Sequence, residues 1–303
     1  MDFADMLLNR FDGEAEMKIG KSALISFSTL ETGKILSKLA TRIIQSKSEK
    51  SAITLLHFIG KLEEMGLNEE IDEYKHKIIS DFLPAEEKDK ITLRLFVQST
   101  DNYCGDITKI CEEQNSDLIL IGIHHNELDP EVIKKYGQLK SDPTLSDIFI
   151  LDQFEKNEAE ILKDLNAIFS KNKVSTALFL DNGTTQFKKL FIPILQKSDI
   201  HLFPYIYQIA QQENVKIMIW DAIGMIESDA KIQKLYQFIN KKTGGGIYLW
   251  DNNKKIECDF IHEQDLMIIG LGGWHKLICT PLSWRECLPS MLIIKETINP
   301  IQL

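Results

Sequence analysis

A six-residue segment occurs twice in this chain, and it constrains the fold more than any other feature. Residues 117–122 read Asp-Leu-Ile-Leu-Ile-Gly, and residues 265–270 read Asp-Leu-Met-Ile-Ile-Gly. Each segment is an apolar run of strand length that follows an aspartate and breaks at a glycine. A repeat of this kind predicts two copies of one α/β unit, with any small-molecule site at a loop that begins after Gly122 or Gly270.

Apolar runs alternate with helical patterns on both sides of this repeat. In the first half we predict strands over 23–27, 52–59, 91–97, 117–122 and 174–180. Helical spacing of apolar residues predicts helices around 35–43, 68–82, 103–113 and 155–169. Continuous apolar strands separated by helices are typical of a parallel sheet that is covered on both faces.

The second half repeats the pattern in a shorter form. We predict strands over 190–194, 215–220, 247–250, 265–270 and 290–295, with helices over 198–212 and 229–240. The segment before Asp265 is too short for a full helix and strand, so we expect this copy to be abbreviated. Turn residues at 181–185 place the boundary between the copies. The predicted organisation is a lead-in over 1–20, a first α/β domain over 21–184 and a second, abbreviated one over 185–303.

Composition narrows the classes of partner. The formal net charge is -10 over 303 residues, with no basic stripe, which argues against nucleic acid or an anionic lipid surface as the main partner. No apolar run approaches the roughly 18 residues that a membrane-spanning helix needs. The five cysteines are odd in number and contain no Cys-x-x-Cys spacing. We therefore expect reduced thiols in a cytoplasmic protein, with neither a disulfide framework nor a zinc site.

One glycine cluster is a candidate nucleotide loop. Gly270, Gly272 and Gly273 follow a predicted strand, where backbone N–H groups are able to cradle a phosphate. Ser283 follows ten residues later, at a place where such loops carry Gly-Ser or Gly-Thr. Gly122 ends the corresponding strand of the first half but has no second glycine after it. The alternative in both halves is a tight turn after a buried strand.

The sequence contains no convincing catalytic set. The triplet at 20–22 reads Gly-Lys-Ser but lacks the partner glycine of a P-loop and precedes a strand. His124 and His125 are adjacent, so their side chains diverge, and no nearby ligand completes a metal site. Trp274 and Trp284 flank the glycine cluster, where stacking on an adenine and a place in the core are the two alternatives. We therefore expect a protein that is not an enzyme and needs no metal.

The ordered segments together resemble a known family. Residues 21–27, 117–122, 189–194, 263–269 and 284–295 resemble tandem universal stress protein domains. More narrowly, they are similar to the C-terminal region of bacterial monovalent cation:proton antiporters of the Bacteroidetes type. The resemblance covers roughly residues 21–296. The aspartate that such domains often carry after the first strand is absent from 26–28 and from 193–195.

The resemblance implies a fold and a role. It implies two doubly wound, parallel-sheet domains of the adenine nucleotide alpha hydrolase-like type, attached to a transmembrane antiporter portion at the cytoplasmic face of the inner membrane. They would regulate Na+/H+ or K+/H+ exchange. ATP or another adenine nucleotide would bind at Gly270, Gly272, Gly273 and Ser283, and in the first half at Gly122. The strand at 290–295 would pair across a homodimer. The alternative is a free-standing, nucleotide-binding tandem stress protein.

Overall fold

A computed structural model gives the fold of most of the chain. It describes residues 7–8, 19–44, 50–61, 71–82, 89–124, 168–170, 172–211, 214–280, 282–284 and 287–295. The lead-in over 1–20 and the predicted helix over 155–169 lie almost wholly outside these ranges.

The first half contains five strands and three helices among its described residues. The strands are β1 (Ser22–Phe27), β2 (Ser51–Phe58), β3 (Ile91–Gln98), β4 (Leu118–His124) and β5 (Ser175–Asp181). The helices are α1 (Leu30–Ile44), α2 (Ile71–Phe82) and α3 (Tyr103–Glu113). The predicted strands are confirmed, with one difference: β4 continues through Gly122 to His124, so the glycine lies inside the strand and begins no loop.

The second half also has five strands. They are β6 (Lys189–Ile194), β7 (Lys216–Asp221), β8 (Ile247–Leu249), β9 (Leu266–Gly270) and β10 (Ser290–Lys295). Between them lie a 3-10 helix, η1 (Lys197–Leu202), and the α-helices α4 (Phe203–Ala210), α5 (Met225–Ser228), α6 (Ala230–Lys242), α7 (Cys258–His262) and α8 (Leu271–Cys279). In this half β8 and α7 are short, with three and five residues. The abbreviation of the second domain stays a prediction.

The described strands form one sheet in the order β3-β2-β1-β4-β5-β10-β9-β6-β7-β8. Each half therefore has its strands in the order third, second, first, fourth, fifth. Neighbouring strands are parallel except where β5 meets β10, which run antiparallel with Leu178 opposite Ile293. The fold is thus α/β, as predicted, with one large, mostly parallel sheet. Residue 184 lies between β5 and β6, and the division into two domains stays a prediction.

The pairing of β10 corrects one expectation. We expected the strand at 290–295 to pair across a homodimer, but β10 lies between β9 and β5 and both of its edges are hydrogen-bonded within the chain. The first half supplies the partner that a second copy would supply, because the duplication places an equivalent fifth strand in the same molecule.

Helices cover both faces of the sheet, as a mostly parallel sheet requires. On one face α1, α2, α4 and α6 pack on a core that runs through both halves. On the other face α3, α7 and α8 pack on a second core, which includes the fully buried Trp274 and the buried Trp284. Both tryptophans therefore take the core role that was one of their two alternatives. Among the described residues no helix combines the length and hydropathy needed to cross a membrane.

The cysteine expectation was wrong for one pair. Cys258 at the start of α7 and Cys287 just before β10 form a disulfide, with α-carbons 5.5 Å apart. That separation is typical of disulfides. The two residues are 29 positions apart and have no motif spacing. Their proximity arises only when α7 and the segment before β10 pack on the same face of the sheet.

Candidate functional site

The repeated aspartate of each half holds the start of that half's first strand. Asp117 Oδ2 accepts hydrogen bonds from the backbone N–H groups of Lys21 and Ser22, at 2.8 and 3.1 Å. Asp265 Oδ2 accepts from Lys188 and Lys189, at 2.7 and 2.8 Å. The equivalent aspartates therefore hydrogen-bond the start of β4 to the start of β1 in one half, and the start of β9 to the start of β6 in the other.

The repeated glycine leaves room for the segment after the first strand of its half to pack closely against the fourth strand. A β-carbon added at Gly270 would lie 2.5 Å from Asp199 Oδ1 and 2.8 Å from His201 Cε1, both on η1. At Gly122 an added β-carbon would lie 2.9 Å from Leu36 Cδ1, and closer still to Thr32 Cγ2, both on α1. Real β-carbons do not make such short contacts, so each strand needs glycine at this position to let its neighbour approach.

The other two glycines of the cluster are also filled by the chain itself. α8 begins directly after Gly270, so Gly272 and Gly273 form its first turn and there is no separate loop. A β-carbon at Gly273 would lie 2.9 Å from Asp199 Oδ2, and one at Gly272 would overlap the amide of Gln196. Side chains of the β6–η1 segment thus occupy the space that a β-carbon at any of these three glycines would take.

Asp199 is a buried carboxyl group with unequal oxygens. Its side chain has no solvent exposure, and Oδ2 accepts from the N–H groups of Leu195 and Gln196 at 2.8 and 3.0 Å. Among the described residues Oδ1 has no hydrogen-bond partner. Burial raises the pKa of Asp199, whereas the two N–H donors, the charge of His201 and the side-chain amide of Gln196 act in the opposite direction.

His201 connects this cluster to the strand that joins the halves. Its Nδ1 lies 2.7 Å from the Ser198 carbonyl oxygen, and its Nε2 lies 3.3 Å from the Ile294 carbonyl oxygen in β10. Carbonyl oxygens only accept hydrogen bonds, so a ring with a proton on both nitrogens satisfies both contacts. A neutral ring satisfies one of them.

Ser283 does not lie on the side of the sheet that Gly270 faces. Gly270 faces the side of the sheet that carries η1, because its neighbour Ile269 points into the opposite core. Ser283 is exposed in the turn after α8, and the adjacent Trp284 packs edge-on against Phe191 and Trp220 on that opposite side.

The arrangement gives each repeated residue a structural reason. The aspartate and the glycine mark the two ends of a contact between the fourth strand and the first strand with its following segment. The assignment of Gly270, Gly272, Gly273, Ser283 and Gly122 to nucleotide binding stays a prediction. The described part of the chain shows no group of three or more His, Cys, Asp or Glu side chains that would suit a metal ion.

Sequence reasoning missed the residues that fill the glycine cluster. Asp199 and His201 lie within the helix that we predicted over 198–212, and Gln196 lies two residues before it. A signal was present in Asp199, which stands three residues after Gln196 at capping-box spacing. Pro204, in the first turn of α4, also marks the change from a 3-10 to an α-helix.

Comparison with known proteins gives likeness of fold and no family. No family model matches the chain, and no curated protein sequence matches it. Among solved structures, the chain is similar to the cytoplasmic domain of a prokaryotic cation chloride cotransporter, with a TM-score of 0.53 and 9% identity. That match covers 93% of this chain and 98% of the other.

Proteins called universal stress proteins also occur among the structural neighbours. One from Archaeoglobus fulgidus has a TM-score of 0.46 and 12% identity, over 93% of this chain and 99% of that one. A putative one from Pseudomonas aeruginosa has a TM-score of 0.46 and 13% identity, over 91% and 93%.

Proposed function

We propose that this chain is a non-catalytic regulatory domain of a cation transport protein, and more narrowly of a Na+/H+ or K+/H+ antiporter. The observation that carries the proposal is the match of fold, along nearly the whole chain, to the cytoplasmic domain of a cation chloride cotransporter. The antiporter assignment is supported by the sequence resemblance described above. The membrane partner would be a transmembrane portion of the same protein.

The sheet supports a mechanical role in such a protein. Its two halves share both cores and are joined by the hydrogen-bonded pair β5–β10. A partner or ligand that prefers one arrangement of this unit would bias an attached transporter by its differential affinity, commonly ~1–3 kcal/mol. Self-association would use surfaces other than β10.

Nucleotide sensing is a separate part of the proposal. Phosphate at the first turn of α8 would lie close to the side chains of Gln196 and of the buried Asp199, which already pack against the glycines there. Titration calorimetry of the chain with ATP, ADP and AMP, with and without Mg²⁺, tests this directly. Micromolar binding would support the rival function, a free-standing tandem stress protein that binds nucleotide. Absence of heat would favour regulation through packing.

The transport role is tested in the gene's own host. Codons 21–295 are deleted in frame, and inverted membrane vesicles are assayed with a pH-sensitive dye for proton flux driven by Na+ or K+. We expect the cation concentration, or the proton concentration, that gives half-maximal flux to change about 5- to 150-fold, which is the usual range of allosteric coupling. A full-length Gly60→Ala variant is the control, because a β-carbon there meets no atom of the described residues within 4 Å. Unchanged flux with either cation would contradict the proposal.

A further inference from the structure

The Asp199 carboxyl group is placed where its charge state affects packing. It is fully buried, and it lies between the backbone of its own segment and the glycines at 270 and 273. One oxygen receives two N–H donors, and the other receives none from the described residues. A buried carboxylate with an unpartnered oxygen is costly, whereas the protonated acid removes the net charge.

Few charged groups face Asp199 from the elements around it. β9 has no ionisable residue, and the only one in β6 is Lys189 at the opposite end of that strand. The ionisable residues on η1, on α8 and at the end of β10 are Lys197, His201, His275, Lys276 and Lys295. Lys276 Nζ donates to the Leu195 carbonyl at 3.3 Å, and Lys295 Nζ donates to the Phe169 carbonyl. His201 is the group whose charge acts on Asp199.

We propose that the protonation state of Asp199 controls the contact between η1 and the first turn of α8, which we call the latch. The protonated side chain holds η1 against α8, and ionisation loosens that contact. The latch reaches the junction of the halves, because His201 on the same 3-10 helix contacts the Ile294 carbonyl in β10. It is a property of the chain alone and goes beyond the transport role, so a negative result here would leave that role untouched.

The direction of the pH response follows from the burial of the acid. An exposed aspartate has a pKa of about 3.9, and burial raises the pKa of the seated Asp199 above its ordinary value. At a pH between these two pKa values, Asp199 is protonated while η1 is packed against α8 and ionised once that contact has opened. The contact between η1 and α8 is therefore most stable in acid. It loses stability as the pH rises through the pKa of the buried Asp199, and above that pKa its stability no longer changes.

Hydrogen–deuterium exchange of the purified chain tests the latch. Peptides covering 195–202 and 270–276 are followed from pH 4.5 to 8.5 in the native protein and in Asp199→Asn. The variant keeps an oxygen that accepts the two N–H bonds and stays neutral throughout. The ratio of the two exchange rates at each pH cancels the intrinsic pH dependence of exchange. We expect this ratio to rise with pH by up to about tenfold per unit and then to level off.

Two further variants make the result specific. Asp221→Asn alters a buried aspartate of the same half whose oxygens both accept N–H donors, from Met225 and Ile226. It should leave exchange at 195–202 unchanged. His201→Gln removes the group whose charge lowers the pKa of Asp199, so the rise should extend to higher pH. A ratio that stays constant across the series, or a rise that survives in Asp199→Asn, would overturn the proposal.

Discussion

The close approach at Gly122 makes a quantitative prediction about the first half. Gly122 faces α1, where Thr32 Cγ2 and Leu36 Cδ1 occupy the space that a β-carbon would take. Gly122→Ala therefore introduces a methyl group into a filled core. Overpacking of this kind costs about 1–3 kcal/mol. The lower backbone entropy of alanine in the unfolded chain returns about 0.4–1 kcal/mol. We expect a net loss of about 1–2 kcal/mol in the free energy of unfolding.

A second substitution tests the contact itself. Thr32→Ser removes the methyl group that Gly122→Ala would strike, and it keeps the hydroxyl that receives a hydrogen bond from Thr29 at 3.0 Å. Alone it should cost about 1 kcal/mol, since Thr32 is buried. The double variant should be about 1 kcal/mol more stable than the two single effects added together.

Guanidinium unfolding followed by circular dichroism measures all four proteins, with equal slopes required before midpoints are compared. Gly60→Ala is the matched control, because a β-carbon there meets no atom within 4 Å in the part of the chain that the structure describes. It should stay within about 0.5 kcal/mol of the native protein. Equal stability of Gly122→Ala and Gly60→Ala, or strict additivity with Thr32→Ser, would refute our explanation of the repeated glycine.

The repeated aspartates and the cysteines give three further predictions. Asp117→Ala and Asp265→Ala each remove an acceptor of two backbone N–H bonds, so each should lower the unfolding free energy by about 1–3 kcal/mol; loss in one variant only would contradict their equivalence. Cys258→Ser opens a disulfide across 29 positions and should cost about 3–4 kcal/mol, and a reducing agent should destabilise the native chain but leave the variant unchanged. Burial raises the pKa of Cys111 to about 11, so iodoacetamide at pH 8 should alkylate it on the order of a hundredfold more slowly in the folded than in the unfolded chain, as mass spectrometry would show.

Apolar periodicity predicted most of the fold. Buried parallel strands read as continuous apolar runs, and helices such as α3 show their spacing plainly, so the strand list and the α/β class followed from local pattern. The pairing of β10 with β5 did not follow, because local pattern carries no information on which strand lies beside which. The disulfide was missed for the same reason, since Cys258 and Cys287 meet only after α7 and β10 are placed.

The candidate site shows a different limit. A glycine that follows a buried strand has two physical uses, which are to admit a ligand and to admit another part of the chain. Sequence spacing at Gly270 is the same for both. The distinction depends on Gln196 and Asp199, which lie about 70 positions earlier and reach the glycines only through the β6–β9 pairing. The prediction of the position was therefore informative, and the prediction of its occupant depended on tertiary contacts.

The single antiparallel pair in the sheet determines where the two halves point. Because β5 and β10 run in opposite directions, the carboxyl ends of β1, β2 and β4 lie along one edge of the molecule, and those of β6, β7 and β9 lie along the other. A strand of six or seven residues separates these edges by roughly 20 Å. The duplicated units therefore point in opposite directions, with the carboxyl ends of their first, second and fourth strands on opposite sides of the sheet. A change at one of these sides reaches the other along the strands, through the β5–β10 pair and through the two cores that the halves share.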